Sequence, residues 1–107
     1  MAEPFGLHGK ITATQGNGDA LAALLLEAAA GLESVPDCQL YLVSRDPAEP
    51  EAIWVTEVWT DREAHAASLQ LDAVREQIAR AMPMIAKPPG GTELRPAGGK
   101  GVNLEGS

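Results

Sequence analysis

Two stretches of this chain, 37–45 (DCQLYLVSR) and 53–60 (IWVTEVWT), carry apolar side chains on both parities of an extended backbone. In the first, Cys38, Leu40 and Leu42 fall on one side and Tyr41 and Val43 on the other. In the second, Ile53, Val55, Glu57 and Trp59 oppose Trp54, Thr56 and Val58. Side chains alternate between the two faces of a strand, so strands of this kind need cover on both. Between them, Asp46-Pro47-Ala48-Glu49-Pro50 cannot continue a ladder because proline lacks the N–H donor, and it reads as a hairpin loop.

The flanking sequence supplies cover for one face. Residues 7–14 (LHGKITAT) set Leu7, Gly9, Ile11 and Ala13 against the more polar His8, Lys10, Thr12 and Thr14, the pattern of a half-buried strand. A turn at 15–18 follows, and Asp19 is the expected cap of a helix whose Leu21, Leu24, Leu25, Ala28 and Leu32 recur along one face. After the second apolar strand, Thr60-Asp61-Arg62-Glu63 fits a capping box led by Thr60, opening a short helix through Ser68. A further helical run places Leu71, Val74, Ile78, Met82 and Ile85 on one stripe, with Pro83 distorting its last turn. Pro88-Pro89-Gly90-Gly91 reads as a turn and 92–95 as a last short strand. The order is βαββαβ, an α+β, ferredoxin-like arrangement with helices on one face of an antiparallel sheet. The other face of the two central strands stays uncovered, and the expected remedy is a second copy of the chain, giving a homodimer.

A chain of 107 residues fits one domain, expected over 1–97, with a Gly-rich, flexible tail at 98–107. Fifteen acidic residues against eight basic ones give a net charge of −7, which repels phosphate backbones and argues against a nucleic-acid partner. The single cysteine, Cys38, forms no internal disulfide and suits a reducing compartment. The first residues have neither a basic nor an apolar leader region, and the longest apolar run, 20–26, is too short to span a bilayer. The expected setting is cytoplasmic, without membrane contact.

The segment Tyr41-Leu42-Val43-Ser44-Arg45-Asp46-Pro47, then Trp54-Val55-Thr56-Glu57-Val58-Trp59, then Asp61-Arg62-Glu63-Ala64 resembles the central signature of the antibiotic biosynthesis monooxygenase family. That signature is a strand, an Asp-Pro loop, a strand with Glu-x-Trp and a helix opened by Glu-Ala; the likeness in pattern extends over about 7–94. The resemblance implies a dimeric α+β barrel and a cofactor-independent monooxygenase oxidising a reduced quinol or polycyclic phenol with dioxygen. The same scaffold also serves isomerases and proteins without an assigned reaction, so a small-molecule-binding dimer and an isomerase are the competing readings. Family members often carry a histidine where this chain has Ser68, and the nearest histidine is His65, one turn earlier. An asparagine that haem-degrading relatives use in the first strand is absent from 7–14, which speaks against haem.

Oxygenation without a cofactor requires a substrate that supplies its own electrons once deprotonated in a water-poor cavity. His65 is the candidate base, because histidine titrates near neutrality; the competing reading is a solvated helix residue. Trp59 is the candidate aromatic wall for a flat substrate, against plain core packing. Ser68 and Tyr41 are candidate hydrogen-bond donors to the ligand, and Met82 a soft apolar contact. Glu57 is read as a structural hydrogen-bonding group tying strand to helix. Neither metal-ligand spacing nor a Gly-rich phosphate loop is present, so no metal or nucleotide cofactor is expected.

Overall fold

The computed structural model describes residues 3–87 and 90–102, and in it the central hairpin of β2 (Cys38–Arg45) and β3 (Ala52–Trp59) is completed by two flanking strands. β1 (Phe5–Thr12) pairs with β3, and β4 (Gly90–Leu94) pairs with β1, all antiparallel, giving the sheet order β2-β3-β1-β4. Helices α1 (Gly18–Gly31), α2 (Arg62–Ser68) and α3 (Asp72–Ala81) occupy the connections, so the chain is the expected ferredoxin-like α+β fold. Among the described residues no helix is long and apolar enough to cross a membrane. The expected turn residues Pro88 and Pro89 and the tail residues 103–107 lie outside the described residues.

The apolar parities divide the sheet as alternation requires. Ile53, Val55, Glu57 and Trp59 face the helices, and Trp54, Thr56 and Val58 face the other way. Two core clusters form on the helix side. One joins Ile53 and Ala13 to Leu21, Ala22 and Leu24 of α1 and Ala81 of α3. The other joins Trp59, Phe5 and Leu32, with Ala64 of α2 packed against it. Trp59, Leu21 and Ile53 are the largest fully buried side chains, each placing its apolar area wholly out of water.

Five local details differ from expectation, the first being that Gly90 and Gly91, expected in a turn, open β4 and pair with β1. A bulge between Cys38 and Leu40 leaves Gln39 as the extra residue, so Cys38 pairs with Trp59 and shares the helix-facing side with Tyr41 instead of following Leu40 and Leu42. Asp19 does not cap α1. The carboxylate of Glu51, from the β2–β3 loop, accepts the amides of Gly16 at 2.5 Å and Gly18 at 2.8 Å, while Asp19 pairs with Arg45 at 3.0 Å. The cap of α2 is Asp61, whose Oδ1 accepts the Ala64 amide at 2.7 Å, because the Thr60 hydroxyl already donates to Asp37 at 3.0 Å. The stripe expected on the last helix is largely outside: Leu71, Ile78 and Met82 are exposed, and Ala81 is the buried residue of α3, its small side chain permitting close approach to the core. Pro83 does distort the end of this helix, which finishes in a 3-10 turn over Met82–Met84.

The face turned away from the helices carries Leu42 and Leu94, each about half exposed, beside a polar group built on Trp54. His8 stacks on the Trp54 ring at 5.1 Å and shares a hydrogen bond with Thr56 at 2.9 Å, and the Lys10 ammonium sits 5.8 Å from the Trp54 ring centre. This face is therefore mixed in polarity.

Candidate functional site

Between the two core clusters the helix-facing side of the sheet is not filled. In β1, Phe5 and Leu7 belong to one cluster and Ile11 and Ala13 to the other, which leaves Gly9 between them. In β3, Val55 and Glu57 occupy the equivalent interval between Ile53 and Trp59. The result is a cavity of about 250 Å³ lined by Leu7, Gly9, Ile11, Val55, Glu57, Gly90 and Gly91. Glycine is required at position 9: a Cβ there would stand 2.3 Å from the Gly90 carbonyl oxygen and 2.8 Å from Gly91 Cα, so β4 lies directly against the β1 backbone. The lining is apolar apart from one group, the Glu57 carboxylate.

Burying a carboxylate requires partners. Glu57 has one on its own strand, where the Trp59 indole N–H donates to Oε1 at 2.9 Å. The second is His65 on α2, whose Nε2 stands 3.8 Å from the same oxygen, within ion-pair range and beyond hydrogen-bond length. The imidazole is itself mostly enclosed, with its ring centre 5.0 Å from that of Phe5 and edge-on to Trp59 at 5.5 Å. α2 is oriented to present His65 by the Asp61 cap at its start and by the Ser68 hydroxyl at its end, which donates to the His65 carbonyl at 2.6 Å. Tyr41 lies directly across the β2–β3 ladder from Glu57. Burial, followed by the nearby Glu57 charge, holds the Tyr41 hydroxyl well above the ordinary phenol range, and the same two causes push the Cys38 thiol up from 9.0 to about 11.

The structure thus brings three residues singled out from sequence, His65, Trp59 and Tyr41, around Glu57. It does not bring Ser68 or Met82 to the cavity. Ser68 is buried with its hydroxyl engaged by the helix backbone, and Met82 is 62% exposed at the end of α3. Trp59 stands behind the cavity and not in its wall, because its ring is enclosed by Phe5 and Leu32. Residue type and position suggest a structural role for Glu57, and the structure adds that it faces the cavity. A charged residue on the buried parity of an otherwise apolar strand was the signal available for it. Among the described residues no three of His, Cys, Asp and Glu come together as a metal site requires.

A four-stranded ferredoxin-like sheet with an acid-bearing apolar cavity between β1, β3 and β4 defines a class of small α+β proteins. The family model for antibiotic biosynthesis monooxygenase matches residues 4–80, and the chain belongs to that family. A solved structure from Chloroflexus aurantiacus J-10-fl named for the same family is 46% identical, with a TM-score of 0.85, over 94% of this chain and 99% of that one. A Deinococcus radiodurans protein named likewise is 25% identical, with a TM-score of 0.77, over 89% and 94% of the two chains. One from Nitrosomonas europaea shares the fold at 10% identity, with a TM-score of 0.84 over 91% and 93%. Among curated proteins no significant match is found.

Proposed function

We propose that this protein is a cofactor-independent monooxygenase that oxidises a reduced quinol or polycyclic phenol with dioxygen. For a hydroquinone the balance is one quinol and one dioxygen giving one hydroxyquinone and one water. One oxygen atom enters the ring, the other leaves as water, and the substrate supplies all the electrons. The protein's tasks are to hold a planar ring out of water and to take the phenolic proton, since the phenolate is the form that gives up an electron readily.

The observation that carries the reading is the position of Glu57 in the wall of an otherwise apolar cavity, backed by the Trp59 N–H and by His65 at 3.8 Å. His65 and Glu57 together form the base, and Trp59 fixes the carboxylate. The same pair also suits proton transfer within an isomerase, which consumes no dioxygen.

The working unit is a homodimer joined across the face that lies opposite the helices. Leu42 and Leu94, both about half exposed there, support this, as does the mixed polarity that protein interfaces commonly have. The protein's setting in this reading is the cytoplasm.

Oxygen uptake by the purified protein with hydroquinones, naphthohydroquinones and anthrones tests the chemistry. Uptake above the autoxidation blank, strongly reduced in His65→Ala, is the expected result. Conversion of a substrate without oxygen consumption would replace the monooxygenase with the isomerase. Light scattering on a sizing column tests the assembly, where a monomer at micromolar concentration would overturn the dimer.

A further inference from the structure

Which member of the His65–Glu57 pair meets the substrate follows from how the two carboxylate oxygens are occupied. Oε1 accepts the Trp59 N–H at 2.9 Å, and His65 Nε2 approaches this same atom at 3.8 Å. Among the described residues no hydrogen bond reaches Oε2, and Oε2 is also not one of the side-chain atoms sealed in the interior without a partner. It therefore keeps accessible surface, and Glu57 is a lining residue of the cavity whereas His65 is not. A carboxylate with one oxygen anchored and the other open is an acceptor fixed in direction.

We infer that Glu57 is the catalytic residue that touches the substrate, its Oε2 accepting the phenolic O–H, and that His65 is a positioning residue acting only through Glu57. This rests on the cavity being a site for a phenol. In the step itself the phenolic O–H bond breaks, the proton passes to Glu57 Oε2 and the electron pair stays on the phenolate oxygen. His65 Nε2 faces the anchored Oε1 at 3.8 Å and orients the carboxylate, while the proton stays on Oε2 until it passes to the oxygen atom that leaves as water, which restores Glu57 as the anion. The phenolate then delivers its electrons to dioxygen. The other titratable groups beside Glu57 are Tyr41 and Cys38 of β2, both held protonated at neutral pH, while Leu7 and Gly9 of β1 and Leu32 after α1 carry no charge.

The geometry has a consequence that needs no turnover to observe. An anionic carboxylate at the ring hydroxyl favours the neutral phenol and repels the phenolate. 4-Nitrophenol ionises near neutrality with a change in its absorption, and it serves as the probe. The wild-type protein should bind it as the neutral phenol and release it as the pH rises through the probe's ionisation, by on the order of tenfold or more. In Glu57→Gln, which keeps an oxygen for the Trp59 N–H, that preference should vanish and the phenolate should bind at least as well as the phenol. In His65→Ala the preference should persist within about threefold, whereas the kcat of oxygen uptake should fall with KM little changed and recover partly on adding imidazole.

The inference is overturned if 4-nitrophenol does not bind the wild-type protein, or if it binds as the phenolate. It is equally overturned if His65→Ala abolishes the preference while Glu57→Gln retains it, which would place the imidazole on the substrate. The binding series stands apart from catalysis: the expected pH signature without oxygen uptake would remove the monooxygenase reading and leave Glu57 as the contact.

Discussion

The indole N–H of Trp59 donates 2.9 Å to the carboxylate of Glu57, two positions earlier on the same face of the same strand. One residue thus supplies both the core of one cluster and the anchor of the site's charged group. Trp59→Phe separates the two contributions. It keeps most of the packing and removes the donor, and a hydrogen bond to a charged group contributes roughly 1.5–3 kcal/mol. Denaturant unfolding should show a loss of about 2–3 kcal/mol with an unchanged m value, and Trp59→Ala a loss of about 3–5 kcal/mol.

The amino end of α1 is held from 33 positions away in sequence, by Glu51. Glu51→Ala should lower stability by about 1–2 kcal/mol, because it leaves the Gly16 and Gly18 amides without their acceptor. Asp19→Ala removes only an exposed pair with Arg45 and should change stability by less than about 0.5 kcal/mol. Thermal melts of the two variants compare them directly, and a larger effect at Asp19 would contradict the assignment.

The Cys38 thiol ionises at about 11 in the fold against an ordinary 9.0, so the folded chain keeps this proton where the unfolded chain has lost it. Its contribution is constant below pH 9.0 and is lost as the pH rises from 9.0 toward 11. Tyr41, also raised, adds to the same loss above its ordinary 10.0. The melting temperature should therefore hold steady up to about pH 9 and then decline, less steeply in a Cys38→Ala, Tyr41→Phe double variant. At mildly alkaline pH, iodoacetamide should modify the folded protein much more slowly than the guanidinium-unfolded chain, since the thiolate is the reactive form.

Gly9 and Gly91 are paired across β1 and β4, yet they tolerate substitution differently. A methyl at Gly9 meets backbone at 2.3 Å and 2.8 Å, and backbone cannot rotate away as a side chain can, so Gly9→Ala should cost about 1–3 kcal/mol or more. At Gly91 the nearest atom to an added Cβ is 3.8 Å away, and Gly91→Ala should stay within about 1 kcal/mol of wild type. Because Gly91 lines the cavity, the same methyl should weaken binding of two-ring phenols more than of one-ring phenols, measurable by titration.

Much of the site was legible from residue types. His65 is on the first turn and a half of the helix after Glu-x-Trp, and the structure does set it against Trp59. Glu57 could be seen to share a face with Trp59, but alternation alone cannot say that this face has an unfilled interval between Leu7 and Ile11. The interval exists because β4 presses on Gly9 and two separate clusters form above the sheet. Ser68 suits a site by helical spacing from His65 and Met82 by its soft apolar side chain, yet neither signal reveals that the hydroxyl turns to its own helix and the methionine to solvent.

The sequence by itself determined the order of the elements, the hairpin at the Asp-Pro loop and which residues of β3 share a face. Each of these depends on period and on proline and glycine chemistry, which act over a few residues. The cap of α1, the flip of Cys38 by the bulge, the burial of Ala81 in place of Ile78, and the choice of Glu57 as the cavity's charged group were decided only in the tertiary structure. Each depends on groups distant in the chain meeting within a few ångströms, and such meetings are set by packing of the whole sheet against its helices, not by any local pattern.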